Sequence, residues 1–237
     1  MMRLVTERQQ LADIKMAFWQ HGSGKALVML HGNSGSKKTF SKYLLEHFTD
    51  FQGFALDSRG HGQSQSRDTH LSYEQQSLDV IAFCKAKGLQ DVSVIGYSDG
   101  GILGLWLAVK APEIFSKIVS ISPNTVASAS TEGFMQFLTK TLRTLNFFKK
   151  LGFPVKKQIM RFQLMQTDSG IRDEDLKGIK TKVMIIYAEK DMVAEDHITH
   201  IAKLIPGCKL EKVMDCTHMT VPHQAETLRI MHAFLNA

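Results

Sequence analysis

Paired cysteines are missing from this chain. Its three cysteines in 237 residues, Cys84, Cys208 and Cys216, have no regular spacing. They exclude a disulfide framework and a zinc-ligand pattern, and as reduced thiols they lead us to expect a cytoplasmic protein. Also missing is any apolar run near the ~18 residues that argue for a membrane-spanning helix. The start, Met1 to Ile14, is polar and charged and lacks the apolar stretch of a secretory signal. Neither secretion nor stable membrane insertion is therefore expected. There is no phosphate-cradling loop either. His31-Gly32-Asn33-Ser34-Gly35-Ser36 contains no Gly-Lys-Ser/Thr, and Lys37-Lys38-Thr39 has the wrong spacing after glycine. No internal repeat or low-complexity tract is visible.

What remains is an ordinary globular composition, 43% hydrophobic and 22% charged. It suits one sizeable domain whose core needs no staples. The net charge of +6 could suit an acidic partner. Yet the lysines are scattered. Their densest cluster (Lys149, Lys150, Lys156, Lys157) lies in one middle segment without regularly spaced stacking aromatics. No nucleic-acid partner is expected.

Apolar patterning organises the chain into alternating strands and helices. Ile14 to Gln20, Ala26 to Leu30, Phe51 to Leu56, Val92 to Ile95, Lys117 to Ile121, Val183 to Tyr187 and Leu210 to Val213 read as strands. Helices are expected over Lys38 to Phe48, from the Ser72/Gln75 capping box to about Lys87, after Ser98 to about Ala111, over Asp196 to Leu204, and from about His223 to Leu235. Ser58 to Asp68 reads as a loop. From about Asn124 to Gly178 only helical spacing is evident, in Phe134, Phe137, Leu138, Leu142 and Leu145 and again near Met160 and Leu164. The alternation implies an α/β fold, a mostly parallel twisted sheet with helices on both faces. Its core would be 1–123 with 179–237, interrupted by a helical insertion at 124–178.

The most informative feature is Gly96-Tyr97-Ser98-Asp99-Gly100, set between a strand and a buried helix. A serine becomes a nucleophile when a tight strand-to-helix turn lifts its hydroxyl out of the backbone and a base takes its proton. The turn demands near-absent side chains two residues either side of the serine, and both positions are glycine. In this setting an acid and then a histidine should follow in chain order. Asp191 and His218 do so, each just past a strand, at the sheet edge where α/β folds place their sites. Glu189, Asp196, Asp215 and Asn124 are weaker candidates for the acid. Glu189 is close to the strand, Asp196 starts a helix, Asp215 is too local to His218, and Asn124 carries no charge. Donors for a developing oxyanion are expected from the backbone N–H groups of Asp99 and of Asn33, with Ser34 behind it.

His31-Gly32-Asn33, Asp57-Ser58-Arg59-Gly60-His61-Gly62-Gln63-Ser64, Gly96-Tyr97-Ser98-Asp99-Gly100-Gly101, Glu189-Lys190-Asp191 and Thr217-His218 together resemble the α/β-hydrolase superfamily. The resemblance implies that 124–178 is a small cap over the site. It also implies a structural role for the loop from Asp57 to Ser64, in which neither Asp57 nor His61 is catalytic. The chain departs from the family in having Thr181 where proline is common, before the acid strand. The elbow Gly-Tyr-Ser-Asp-Gly-Gly is similar to that of the biphenyl-hydrolase-like branch, whose members cleave small esters, amino-acid esters among them. Asp99 could accordingly face the pocket and attract a cationic group, or turn away and pair with a basic neighbour.

The resulting expectation is a serine hydrolase acting on a small carboxylic ester or related acyl compound, with no metal or organic cofactor. A C–C bond, thioester or peptide hydrolase on the same scaffold remains open, as does a non-catalytic ligand-binding protein. The apolar helix of the insertion is expected to pack on the core, with dimerisation or a membrane-surface contact as the other possibilities.

Overall fold

Along Lys25–Leu30, side chains alternate between two apolar clusters. Ala26, Val28 and Leu30 join one, while Leu27 and Met29 join the other. A strand that buries both faces must lie in a sheet covered on both sides, and the computed structural model, which describes residues 4–67 and 70–237, has that arrangement. The last residue of the expected loop, Asp68, lies outside the described residues, as do Met1 to Arg3.

Among the described residues, nine strands form one sheet. They are β1 (Glu7–Gln10), β2 (Ile14–His21), β3 (Lys25–Leu30), β4 (Phe51–Leu56), β5 (Gln65–Ser66), β6 (Val92–Tyr97), β7 (Phe115–Ile121), β8 (Lys182–Lys190) and β9 (Lys209–Thr217). The spatial order is β1-β2-β4-β3-β6-β7-β8-β9, with β5 beside β2. From β4 through β9 every pairing is parallel, and β1, β2 and β5 form an antiparallel edge. Helices α1 (Tyr73–Ala86), α2 (Asp99–Lys110) and α6 (Glu195–Leu204) pack in the first apolar cluster, and α7 (Ala225–Asn236) packs in the second. The fold class is the expected one.

Local signals explain several boundaries. The Ser72 hydroxyl accepts from the Gln75 N–H at 3.2 Å and starts α1. Gly88, at φ +65, follows its end. Two regions differ from expectation, besides the short β5 that pairs with β2 inside the expected loop from Ser58 to Asp68. Residues 38–48 form no regular helix. A 3₁₀ turn at Lys37–Phe40 is followed by a π turn at Tyr43–His47. Their start is tethered, because the backbone N–H and ammonium of Lys37 both bond Asp57 at the end of β4. Strand β1 was not anticipated, since Glu7-Arg8-Gln9-Gln10 has no apolar alternation and is held by pairing with β2 instead.

Between β7 and β8 lie α3 (Glu132–Lys150), α4 (Lys156–Leu164) and the short α5 (Asp173–Lys177). On α3 only Leu138 and Leu142 are buried, whereas Phe137, Phe147 and Phe148 are exposed. The helix is therefore enclosed at these two leucines and leaves the three rings in solvent.

Candidate active site

Strand β6 ends at Tyr97, and α2 begins at Asp99. Between them Ser98 adopts φ 55°, ψ −116°, a conformation that side-chain-bearing residues rarely hold unless the surroundings enforce it. The two flanking glycines make room for the turn that holds it. A Cβ on Gly96 would lie 2.0 Å from the Gly100 carbonyl oxygen, and one on Gly100 would lie 2.0 Å from that of Leu30. Ser98 stands half-buried between buried neighbours.

Both expected partners reach this serine. Strands β8 and β9 are longer than their apolar runs, and across a register shift Lys190 pairs with Thr217. The residues that follow these strand ends, Asp191 and His218, are thereby neighbours. His218 Nδ1 lies 2.6 Å from Asp191 Oδ1, and its Nε2 lies 3.1 Å from Ser98 Oγ. With the proton on Nδ1, the ring donates to the carboxylate and Nε2 is free to accept from the serine hydroxyl. Both side chains are almost wholly buried. Burial by itself would raise the Asp191 carboxyl. Hydrogen bonds and charge from His218, with donors from Ser122 and the Val193 N–H, outweigh it and hold the group below its ordinary range, so it stays ionised.

Ser122 was missed in the sequence. It directly follows β7, and its hydroxyl donates to Asp191 Oδ2 at 2.5 Å. Its only signal was its place at a strand end. Tyr97 adds a second brace. Its hydroxyl donates to the His218 carbonyl at 3.1 Å and its ring lies against the imidazole, with centroids 5.3 Å apart. The rejected acids lie elsewhere. Glu189 accepts from the Asp215 N–H, Asp196 is in α6, and the Asn124 amide donates to the Val126 carbonyl.

The loop after β3 touches the nucleophile. A Cβ on Gly32 would sit 3.1 Å from Ser98 Cβ. The next residue, Asn33, uses its side-chain amide to donate to Asp99 Oδ2 and to the Arg161 carbonyl, each at 2.9 Å. Asp99 heads α2, so its backbone N–H has no partner within the helix and carries the positive end of the helix dipole. Its side chain faces the cavity, accepts from Asn33 and Tyr73, and forms no ion pair among the described residues. Of the two orientations left open, the pocket-facing one is observed. Burial pushes this carboxyl up to about 6, against the Asn33 and Tyr73 hydrogen bonds.

The cavity over Ser98 is about 30 Å³, and Phe134, Met165 and Met192 close it from the helical insertion and the β8 end. Deeper groups brace the loops. Asp57 is fully buried, pairs with Lys37 at 2.6 Å, and accepts the Gln63 N–H. His61 bonds the Arg59 carbonyl and lies against His31, whose Nε2 accepts the Ser58 N–H. Among the described residues, neither Asp57 nor His61 hydrogen-bonds Ser98, His218 or Asp191.

Comparison with known proteins fits this geometry. A family model described as alpha/beta hydrolase fold matches residues 25–158. The chain is 26% identical to the human serine hydrolase BPHL over 225 residues, which is 86% of this chain and 77% of that protein. It is 32% identical to ethanol acetyltransferase 1 of Cyberlindnera jadinii over 118 residues, 49% of this chain. That match spans only 35% of the acetyltransferase's length. Among solved structures, E-2-(acetamidomethylene)succinate hydrolase superposes with TM-score 0.82 at 14% identity, covering 99% of this chain and 100% of the other. A carboxylesterase of Bacillus subtilis superposes with TM-score 0.79 at 18% identity, covering 99% and 92%. At these identities the structural likeness establishes the fold alone.

Proposed function

The chain belongs to the α/β-hydrolase fold family, and on that premise we propose that it is a serine hydrolase of small carboxylic esters or related acyl compounds. The observation that carries this reading is the unbroken chain from Ser98 Oγ through both nitrogens of His218 to Asp191.

Ser98 attacks the substrate carbonyl while His218 Nε2 takes its proton. Asp191 stabilises the imidazolium and holds the ring in register. The backbone N–H groups of Asn33 and Asp99 receive the developing oxyanion, which is worth ~3–4 kcal/mol per donor in sites of this type. His218 then protonates the leaving alcohol. Water, deprotonated by His218, releases the acyl group from Ser98. The small cavity favours a short acyl chain, and the flexible side chains of Met165 and Met192 can yield to a longer one. Asp99, ionised above about pH 6, would attract an ammonium group on the substrate, so amino-acid esters are the subclass to try first.

The similarity to an ethanol acetyltransferase supports a second acceptor. The same acyl-enzyme can be discharged by an alcohol in place of water. One experiment tests both: turnover of a chain-length series of p-nitrophenyl esters and of amino-acid esters by wild type and Ser98→Ala, with and without ethanol. Ser98-dependent release is expected, and ethyl-ester formation in ethanol would identify acyl transfer. Turnover surviving in Ser98→Ala overturns the assignment.

A further inference from the structure

The chain's excess charge is concentrated in one place. Residues 133–167 hold seven cations (Lys140, Arg143, Lys149, Lys150, Lys156, Lys157, Arg161) and no acid. The other residues carry 22 basic against 23 acidic groups, so this segment accounts for the whole net charge of +6. All seven except Arg161 are exposed, and none of the seven forms a salt bridge among the described residues.

The same segment leaves its large apolar side chains in solvent. Phe147 is 58% exposed, Phe148 39%, Leu151 58% and Phe153 53%. They form a patch, because the rings of Phe147 and Phe148 lie 5.9 Å apart and those of Phe148 and Phe153 5.3 Å apart. Helical geometry explains the exposure. Leu138 and Leu142 point α3 at the protein, while Lys140, Arg143, Phe147 and Leu151 recur at spacings of three and four on the opposite side. One surface of α3 and the turn into α4 therefore presents aromatic rings among unpaired cations.

We infer that this surface docks the protein onto an anionic lipid interface, with the rings among the headgroups and acyl boundary and the lysines against lipid phosphates. Charge complementarity selects this occupant. A second copy packed through the same patch would set a cationic surface against itself, since a twofold interface is self-complementary in position. An anionic bilayer surface accommodates aromatic and cationic groups together. The contact is peripheral, for no helix among the described residues is long and apolar enough to cross a membrane. The inference stands apart from the esterase reading, because lipid binding does not require Ser98.

The test is co-sedimentation with vesicles of phosphatidylcholine alone and of phosphatidylcholine mixed with phosphatidylserine, at low and high salt. Wild type is compared with Lys149→Glu/Lys150→Glu/Lys156→Glu/Lys157→Glu and with Phe147→Ser/Phe148→Ser/Phe153→Ser. All substituted residues are exposed, so unchanged thermal unfolding serves as the check on the fold. Wild type should bind the phosphatidylserine vesicles and release in salt. Binding should weaken by at least about five-fold per lysine removed, and the serine variant should lose it despite keeping every charge. The inference is overturned by no binding to phosphatidylserine vesicles at low salt, by equal binding to phosphatidylcholine alone, or by binding that survives either variant. It is equally overturned by a wild-type dimer in light scattering that the serine variant dissociates.

Discussion

The Asn33 side-chain amide donates to Asp99 Oδ2 at 2.9 Å, tying the loop after β3 to the residue that follows the nucleophile. The same amide holds the Arg161 carbonyl of α4. One side chain thus fixes both proposed oxyanion donors relative to each other and to the helical insertion. Asn33→Ala keeps the backbone N–H but frees the loop and leaves a buried carboxylate oxygen and a part-buried carbonyl short of a donor. We expect kcat to fall with little change in KM, and unfolding to come ~1–3 kcal/mol sooner. Asn33→Asp should be worse, because it sets two carboxylates against each other. Ester kinetics and denaturant unfolding of the two variants check this.

Asp191→Asn preserves shape but removes the charge that orients His218 and stabilises its cation. A loss of about 10⁴-fold in kcat is expected. Steady-state turnover of the best p-nitrophenyl ester measures it, with circular dichroism to show the fold intact.

Ser122 acts through Asp191. Removing its hydroxyl takes a charge-assisted bond, worth ~1.5–3 kcal/mol, from a carboxylate that still has the Val193 and Ala188 N–H groups. Ser122→Ala should lower kcat by roughly ten- to a hundred-fold and leave KM nearly unchanged. A KM change alone would point to a role in substrate contact instead.

The raised Asp99 carboxyl gives two pH signatures. Its folded value of about 6 exceeds the ordinary 3.8, so between these values the folded state holds more proton than the unfolded state. Its contribution to stability is therefore greatest in acid and falls as pH rises from about 4 to about 6. Asp99→Asn should flatten that dependence in thermal melts taken across the window. In the enzyme, preference for amino-acid esters over neutral esters should rise as pH climbs through about 6 and vanish in Asp99→Asn. Equal effects on both ester types would remove Asp99 from substrate recognition.

Gly100→Ala is expected to be severe. Its Cβ would meet the Leu30 carbonyl oxygen at 2.0 Å, and rigid backbone cannot retreat as a flexible side chain would. A stability loss of ~1–3 kcal/mol or more, together with displacement of Ser98, should appear as poor soluble yield and lost turnover.

The sequence by itself determined the strand–helix alternation of the parallel core, the elbow and the three candidate catalytic residues. These are written in local chemistry: apolar runs buried on two faces, glycines where a turn excludes a Cβ, and polar residues just past strand ends. Even so, it ended the last two strands early, at Tyr187 and Val213. Beyond those points β8 and β9 are held by pairing across a register shift, which leaves no apolar pattern. That pairing makes Asp191 and His218 neighbours. The same limit hid Ser122, one hydroxyl among many until the sheet brings the end of β7 beside Asp191. It also left the Asp99 orientation open, because the groups that hold it, Asn33 and Tyr73, lie 66 and 26 residues away. Helical spacing marked α3 as amphipathic, but whether its aromatic residues meet the core or solvent depends on where the helix lies on the sheet. Tertiary structure alone decides that, since periodicity identifies a face and only packing supplies what the face meets.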